Sequence, residues 1–289
     1  MEISRGSPLV YDVVLVTLGG GCGAPRVPVL ACADALGAAG ATVQTVTAES
    51  DADIDAALDG RRLVVAAATD GQLRAVLRRM VRRYAPAPSK RPTDLPANRT
   101  IPDLPPIGVL PLDPTADDLA AQLGLPRDPA EVAKAVVGEQ VRRLDLLRND
   151  GGSVTLDGAL IGSSPAHGEV MWHGRVEVDD AVLTDGSEAI LACAVGNGAG
   201  HARLDGLQLL AGPDPTDGLL EVAVAVPVLA QRLLRRPKVR IEVRRARGRA
   251  VSVMPREVEV KYLDDGVSGT LRHKRSWWIE PGAWAVYVR

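Results

Sequence analysis

The chain has 289 residues, enough for two ordinary domains or one large α/β domain. Its 34 lysines and arginines nearly balance 36 aspartates and glutamates, a formal net charge of −2, so no bulk positive charge holds it to nucleic acid. Hydrophobic residues make up 46%, too many for a disordered chain, yet there is no Phe and only four Trp and four Tyr. The core must be built from Val, Leu, Ile and Ala, and few rings remain for a base-stacking surface.

Residues 13–18 form an apolar run broken only by Thr17, which reads as a buried parallel strand. A glycine-rich loop at 19–23 follows, and then Val29, Leu30, Ala33, Leu36 and Gly37 mark a helix. Residues 42–47 are strand-like, 51–58 helical and 63–68 a second apolar strand. Leu73, Val76, Leu77 and Met80 then recur at helical spacing. Strands alternating with helices predict a parallel sheet wound by right-handed crossovers. Segment 85–106 breaks the rhythm with seven prolines from Pro86 to Pro106 and reads as a long mobile loop. A short strand at 107–111 and helices at about 115–123 and 129–137 follow.

Beyond residue 139 the period changes to two. Val239, Ile241 and Val243 alternate with charged residues, as do Val258, Val260 and Tyr262. Short strands between Asp-Gly, Asn-Gly and Gly-Gly turns run to the C-terminus, with one helix expected at about 227–235. The expected organisation is a Rossmann-like parallel α/β domain over 1–138, nucleotide-binding in type. An antiparallel β-sandwich over 139–289 follows, its C-terminal strand packing back on the first domain.

The three cysteines, Cys22, Cys32 and Cys193, are odd in number and form no C-x-x-C pair, which fits reduced thiols. The longest apolar run, 222–230, is about half the ~20 residues of a membrane helix and contains Pro227. Glu2, Arg5 and Asp12 flank only a short apolar stretch, so no signal peptide is evident. A cytoplasmic protein is expected.

In an open parallel sheet, ligands bind outside the carboxyl ends of the strands. Three strand-to-helix loops qualify: 19–23, Thr69-Asp70-Gly71, and 113–118. Helix N-termini and backbone N–H groups gather there, which suits phosphate. Gly19-x-Gly21-x-x-Ala24, followed at once by Pro25, is an imperfect dinucleotide fingerprint, and a turn serving geometry alone is the stronger reading. The acids also have plain alternatives. Asp70 can cap a helix, Asp117 and Asp118 can favour a helix N-terminus, and Asp265-Gly266 can be a hairpin turn. His167, His173, His201 and His273 show no metal-ligand spacing, and Ser163-Ser164 lacks a nucleophile elbow.

Taken together, the second and third loops say more. VVAAATDGQL (64–73) and IGVLPLDPTADDLAAQLGLP (107–126) resemble the GGDGT and PLGT-x-ND-x-A motifs of the diacylglycerol kinase catalytic-domain family. That lipid kinase family groups with sphingosine kinases and, more distantly, NAD kinases. Later segments follow in register: VRRLDLL (141–147), AVGNGAGHARLDGLQLLAGPDPTDGLLEV (194–222), YLDDGV (262–267) and IEPGAWAVYV (279–288). The resemblance implies transfer of the ATP γ-phosphate, with Mg2+, to a hydroxyl of diacylglycerol or a similar amphipathic alcohol. It implies ATP phosphates on Gly19, Gly20 and Gly21 and on Thr69, Asp70 and Gly71, with Thr115 and Asp118 near nucleotide and magnesium. It further implies Asp265 as general base and Asp217 as a metal ligand in the second domain. Such chemistry is positioning, charge neutralisation and proton acceptance.

The departures from those motifs are specific. Ala68-Thr69-Asp70-Gly71-Gln72 stands for GGDGT, Asp113-Pro114 precedes Thr115 in place of Gly, Asp117 replaces Asn, and Asp265-Gly266-Val267 stands for DGE. They add side chains where backbone must approach phosphate, remove an N–H, and add two carboxylates that repel phosphate unless metal intervenes. A second reading is therefore a catalytically impaired relative that binds a ligand or partner, and a third is a kinase for a soluble alcohol. Nine basic residues from Arg232 to Arg249, and Trp277-Trp278 beside 272–275, are compatible with peripheral contact at the inner membrane face. Core packing is the simpler account of one Trp. An oligomer is compatible with the sequence.

Overall fold

A computed structural model describes residues 11–19, 26–164, 168–169, 171–198, 203–204, 206–232, 235–257 and 259–289. In chain order the first elements are β1 (Tyr11–Leu18), α1 (Val27–Ala38), β2 (Ala41–Ala48), α2 (Asp51–Ala57), β3 (Arg62–Ala67), α3 (Asp70–Tyr84), β4 (Ile107–Pro111), α4 (Leu119–Gln122) and α5 (Pro129–Gly138). Strands follow: β5 (Val141–Asn149), β6 (Val154–Thr155), β7 (Gly158–Ile161), β8 (Ser163–Ser164), β9 (Gly168–Glu169), β10 (Trp172–Val178), β11 (Ala181–Ile190) and β12 (Ala192–Gly196). The last are β13 (Arg203–Leu204), β14 (Leu207–Gln208), β15 (Leu220–Arg232), β16 (Arg235–Gly248), β17 (Ala250–Pro255), β18 (Val260–Asp264), β19 (Val267–Leu271) and β20 (Arg275–Tyr287). The chain divides into two compact units. One holds Met1–Ala85, Leu104–Arg143 and Trp284–Arg289; the other holds Pro86–Asp103 and Leu144–Ala283.

In the first unit the strand order is β2-β1-β3-β4 and then the C-terminal end of β20, every pairing parallel. Both faces of the central strands are covered, which explains their unbroken apolar runs: Val13 to Val16 and Val64 to Ala66 are fully buried. The helices seal the faces with Val29, Cys32 and Leu36 of α1 and with Leu73, Val76, Leu77 and Met80 of α3. Their starts are chemically marked. Ser50 and Asp53 form a capping box at α2, Thr69 caps α3, and Asp128 caps α5 ahead of Pro129.

The second unit is antiparallel. One sheet runs β11-β10-β17-β20 and the other β16-β15-β12-β7-β18-β19. Their inner faces share one cluster, with Val176, Val253, Trp277 and Ile279 from the first and Ile161, Val195, Val222 and Val260 from the second. The fold is thus a parallel α/β unit followed by antiparallel β-sheets.

Three expectations need correction. The helix at 227–235 is strand instead, the last part of β15 leading toward β16. Val222, Val224 and Val226 alternate into the core at period two, and Pro227 lies past Ala225, the last β15 residue paired with β12, so its missing N–H is not needed there. The helix expected from 115 begins only at Leu119, because Thr115 is held in a tight turn by Asp113. Nor is the proline-rich segment a free loop.

Within the second unit that segment is clasped. Glu280, fully buried, accepts the Thr100 N–H (2.6 Å) and the Trp278 indole N–H (2.9 Å), contacts the Thr100 hydroxyl, and pairs with Arg148 (3.3 Å). Arg148 also lies over the Trp278 ring, 5.4 Å from its centroid. Trp277 is core and Trp278 is used in this clasp, so neither is offered to a membrane, while Arg272 and Arg275 are paired with Glu259 and Asp150. Among the described residues no helix is long and apolar enough to cross a membrane. Removing Glu280 leaves Arg148 without its buried partner. Glu280→Ala should lower the unfolding free energy by ~3–5 kcal/mol in denaturant titration and open segment 86–103 to protease, whereas unchanged stability would contradict the clasp.

Candidate functional site

The chain leaves β1 for β2 on one side and returns to β3 on the other, so the strand order reverses between β1 and β3. In parallel sheets ligands enter at such a reversal, beyond the carboxyl ends. Gly19 ends β1 with φ +93°, a left-handed conformation that favours glycine, and its N–H donates to Ala48 O at 3.3 Å. Gly20 and Gly21, expected to hold phosphate, lie outside the described residues.

Across the reversal sits Gln72. Its Nε2 donates to Leu18 O (3.0 Å) and its Oε1 accepts the Ala68 N–H (2.7 Å), so one carboxamide ties the end of β1 to the end of β3. A Cβ on Gly19 would lie 3.5 Å from that Nε2. Thr69, not Asp70, is the cap of α3, and its Oγ1 accepts the Gln72 N–H at 3.4 Å. Asp70, the first helical residue, reaches the loop after β4, where its carboxylate accepts the Leu119 N–H at 3.1 and 3.2 Å.

The loop after β4 is organised by a residue the sequence did not flag. Arg127 pairs with Asp118 (2.6 Å) and donates to the carbonyls of Asp113, Pro114 and Ala116 at 2.8–3.0 Å. Asp118 also caps α4 through the Ala121 N–H (2.9 Å). Asp113 accepts the Thr115 hydroxyl (2.7 Å) and N–H (2.9 Å), and these bonds, with the Arg127 charge, hold its carboxyl below the usual range. Thr69, Asp70 and Asp118 share a small pocket with Ala67, Leu73, Val109, Pro111 and Ala120. Thus Thr69, Asp70 and Asp118 come together, with Thr115 on the same loop as Asp118. The sequence marks Gln72 only as a departure from the GGDGT motif and does not mark Arg127, because the carbonyls and the Asp118 carboxylate that Arg127 joins meet only in the folded loop.

The second unit carries the other two expected residues. Asp265 (φ +47°) and Gly266 (φ +77°) form the two-residue turn between β18 and β19, whose pairing closes at Asp264 and Val267. The Asp265 side chain is buried, and its carboxylate accepts the N–H groups of Leu156 (2.8 Å), Asp157 (2.9 Å) and Gly158 (3.2 Å). Asp217 accepts the Leu219 N–H (2.9 Å) and contacts Arg247. Near it the buried Asp145 accepts the N–H groups of Gly218 and Gly282, both at 2.7 Å, and burial raises its pKa. Among the described residues no three His, Cys, Asp or Glu side chains cluster as a metal site. Cys32 and Cys193 are buried free thiols pushed up to about 12, which keeps them protonated; Cys22 lies outside the described residues.

Residues 14–149 match the family model described as the diacylglycerol kinase catalytic domain. This supports a kinase-like function directed at a lipid or small molecule. The crystal structure of a diacylglycerol kinase from Bacillus anthracis is similar over 96% of this chain and 97% of its own, with a TM-score of 0.66 at 16% identity. An NAD kinase from Archaeoglobus fulgidus, solved in complex with ATP, is similar over 96% and 93%, with a TM-score of 0.53 at 15% identity. At these identities the likeness concerns the fold. No curated protein sequence matches.

A diacylglycerol kinase-type domain implies magnesium. That ion commonly takes one or two carboxylates and completes its shell with water and phosphate oxygens. Asp70 and Asp118 line one pocket, and since Asp118 is engaged by Arg127 and by the Ala121 N–H, Asp70 is the better fit to a metal carried in with a polyphosphate. Asp217 is already engaged by Arg247. The Asp265 geometry makes a separable prediction. Asp265→Asn turns an amide NH2 toward backbone donors and leaves at least one N–H unpaired, which should lower stability by ~1–3 kcal/mol in denaturant titration. A variant of unchanged stability would show that the three bonds do not anchor this turn.

Proposed function

We propose that this chain is a kinase that takes Mg2+-ATP at the carboxyl edge of its parallel sheet and passes the γ-phosphate to a hydroxyl of diacylglycerol or a similar amphipathic alcohol. The observation that carries the reading is a coincidence of two facts. The diacylglycerol kinase match covers 14–149, and within it the loops after β3 and β4 bring Thr69, Asp70 and Asp118 to one pocket. Phosphoryl transfer of this kind needs positioning and charge neutralisation more than covalent chemistry by the protein.

In this proposal Gly19 and the Thr69-Asp70-Gly71 turn receive the phosphates, and Thr115 and Asp118 orient the nucleotide. Asp70, with Asp118 once released from Arg127, would hold magnesium beside the phosphate oxygens, and the ion would supply charge neutralisation. The acceptor oxygen bonds to the γ-phosphorus as the bond to the β,γ-bridging oxygen breaks, and the hydroxyl proton passes to a carboxylate. Asp265 has the matching motif position for that acceptance, provided it releases one of its three N–H partners.

A second reading, ligand binding without transfer, is favoured by Gln72, whose carboxamide occupies the Ala68 N–H at the strand reversal, and by the fully engaged Asp265. Calorimetric titration with Mg2+-ATP, followed by labelled-phosphate transfer to a short-chain diacylglycerol and to glycerol, separates the two. Binding with transfer to the lipid supports the kinase; binding without transfer supports the second reading; no heat at millimolar nucleotide removes both nucleotide readings. Gln72→Thr, which frees the Ala68 N–H, should tighten nucleotide binding severalfold in the same titration, and weaker binding would mean that the carboxamide assists the ligand instead.

A further inference from the structure

Segment 86–103 carries a cation whose hydrogen bonding is incomplete. The Arg99 N–H closes a turn on Pro96 O at 2.9 Å, and the next residue is Thr100, clasped by Glu280 and Arg148. All of these residues belong to the second unit. The Arg99 side chain is 9% exposed, and Asp103, which accepts from its Nη1 at 2.5 Å, is 52% exposed. The Arg99 Nε and Nη2 are buried and meet no acceptor. Among the described residues no other side chain leaves two buried polar atoms without a partner.

The two orphaned nitrogens form one functional edge. In a guanidinium the Nε–H and the Nη2–H point the same way, and together they grip two oxygens of one anion side by side. Cut off from water, that edge has neither solvent nor acceptor, which is costly for a charged group. The nearby acids are committed elsewhere. Glu280 takes Thr100, Trp278 and Arg148, and Asp103 lies on Nη1, outside that edge. A lone water can accept both N–H groups, yet it leaves the guanidinium charge matched only by the half-exposed Asp103. Two parallel donors call for two coplanar oxygens. One buried cation calls for one negative charge, since a dianionic phosphate would leave surplus charge where water does not reach. A carboxylate meets both conditions.

We propose that Arg99 is the anchor of a small-carboxylate site, in which a singly charged carboxylate lies bidentate on Nε and Nη2 and holds segment 86–103 in its seated position. The edge is closed in the structure, so the anion enters as the segment lifts and is enclosed as it returns. A ligand that binds only the seated form stabilises that form. The site stands apart from nucleotide binding and needs no phosphoryl transfer.

The test is hydrogen–deuterium exchange of the full chain in sodium acetate, sodium phosphate or sodium chloride, each at an ionic strength of about 0.1 M. Acetate should slow exchange of residues 97–103 severalfold relative to chloride, with phosphate slowing it less. Arg99→Lys keeps the charge and loses the fork, so acetate should no longer slow that exchange. Asp103→Asn leaves the guanidinium charge less matched and should strengthen the acetate response severalfold. Circular dichroism confirms that both variants fold, and should Arg99→Lys fail to fold, Asp103→Asn decides. No acetate effect in wild type, an equal effect in Arg99→Lys, stronger slowing by phosphate, or an unchanged or weaker response in Asp103→Asn would each overturn the proposal.

Discussion

Backbone amides at the ends of strands and the starts of helices must find acceptors, and in this chain polar side chains supply them. At the carboxyl edge of the parallel sheet Gln72 takes the Ala68 N–H, Thr69 that of Gln72, Asp70 that of Leu119, Asp118 that of Ala121, and Asp113 that of Thr115. These are the kinds of donors a phosphate would use at helix N-termini. A nucleotide therefore meets an edge whose donors are already held, several of them by carboxylates. Entry requires displacing those acceptors or neutralising them, which is why a cation belongs to the account from the first binding step.

The second unit obeys the same constraint with deeper burial. Asp265 gathers three consecutive N–H groups of the β6–β7 turn, Asp145 joins Gly218 to Gly282, and Glu221 holds Ala211 and Gly212. Buried carboxylates keep their charge only when donors surround them, and here the donors are loop amides that would otherwise go unpaired. An acid at a family motif position can thus be part of the scaffold, and its loss affects folding as well as any chemistry. Glu280 extends the pattern to the segment 86–103, converting a proline-rich stretch into a seated one.

Much of the architecture was legible because burial writes itself into period. The apolar runs at 13–18, broken only by Thr17, and at 63–68 announced two-faced parallel strands, and the alternation around Val239 to Val243 announced a strand with unlike faces. The run at 222–230 misled because an apolar stretch containing proline fits a helix start as well as a strand whose edge is open. Asp70 and Asp118 were legible as members of one edge through motif order. The roles of Gln72 and Arg127 were not, since Gln72 bonds the main chain of Leu18 and Ala68, and Arg127 joins the Asp118 carboxylate to the carbonyls of Asp113, Pro114 and Ala116, contacts that only the folded loop brings together. Asp265 was visible as a turn residue, while the three amides it gathers lie about a hundred residues earlier in the chain.

The central claim is that nucleotide binds where side chains now satisfy the amides after β3 and β4. Hydrogen–deuterium exchange with and without Mg2+-ATP reads those amides directly. The account predicts altered exchange at residues 68–72 and 113–121 on nucleotide addition, with little change along β2. Nucleotide-dependent protection confined to other segments, with 68–72 and 113–121 unaltered, would contradict it.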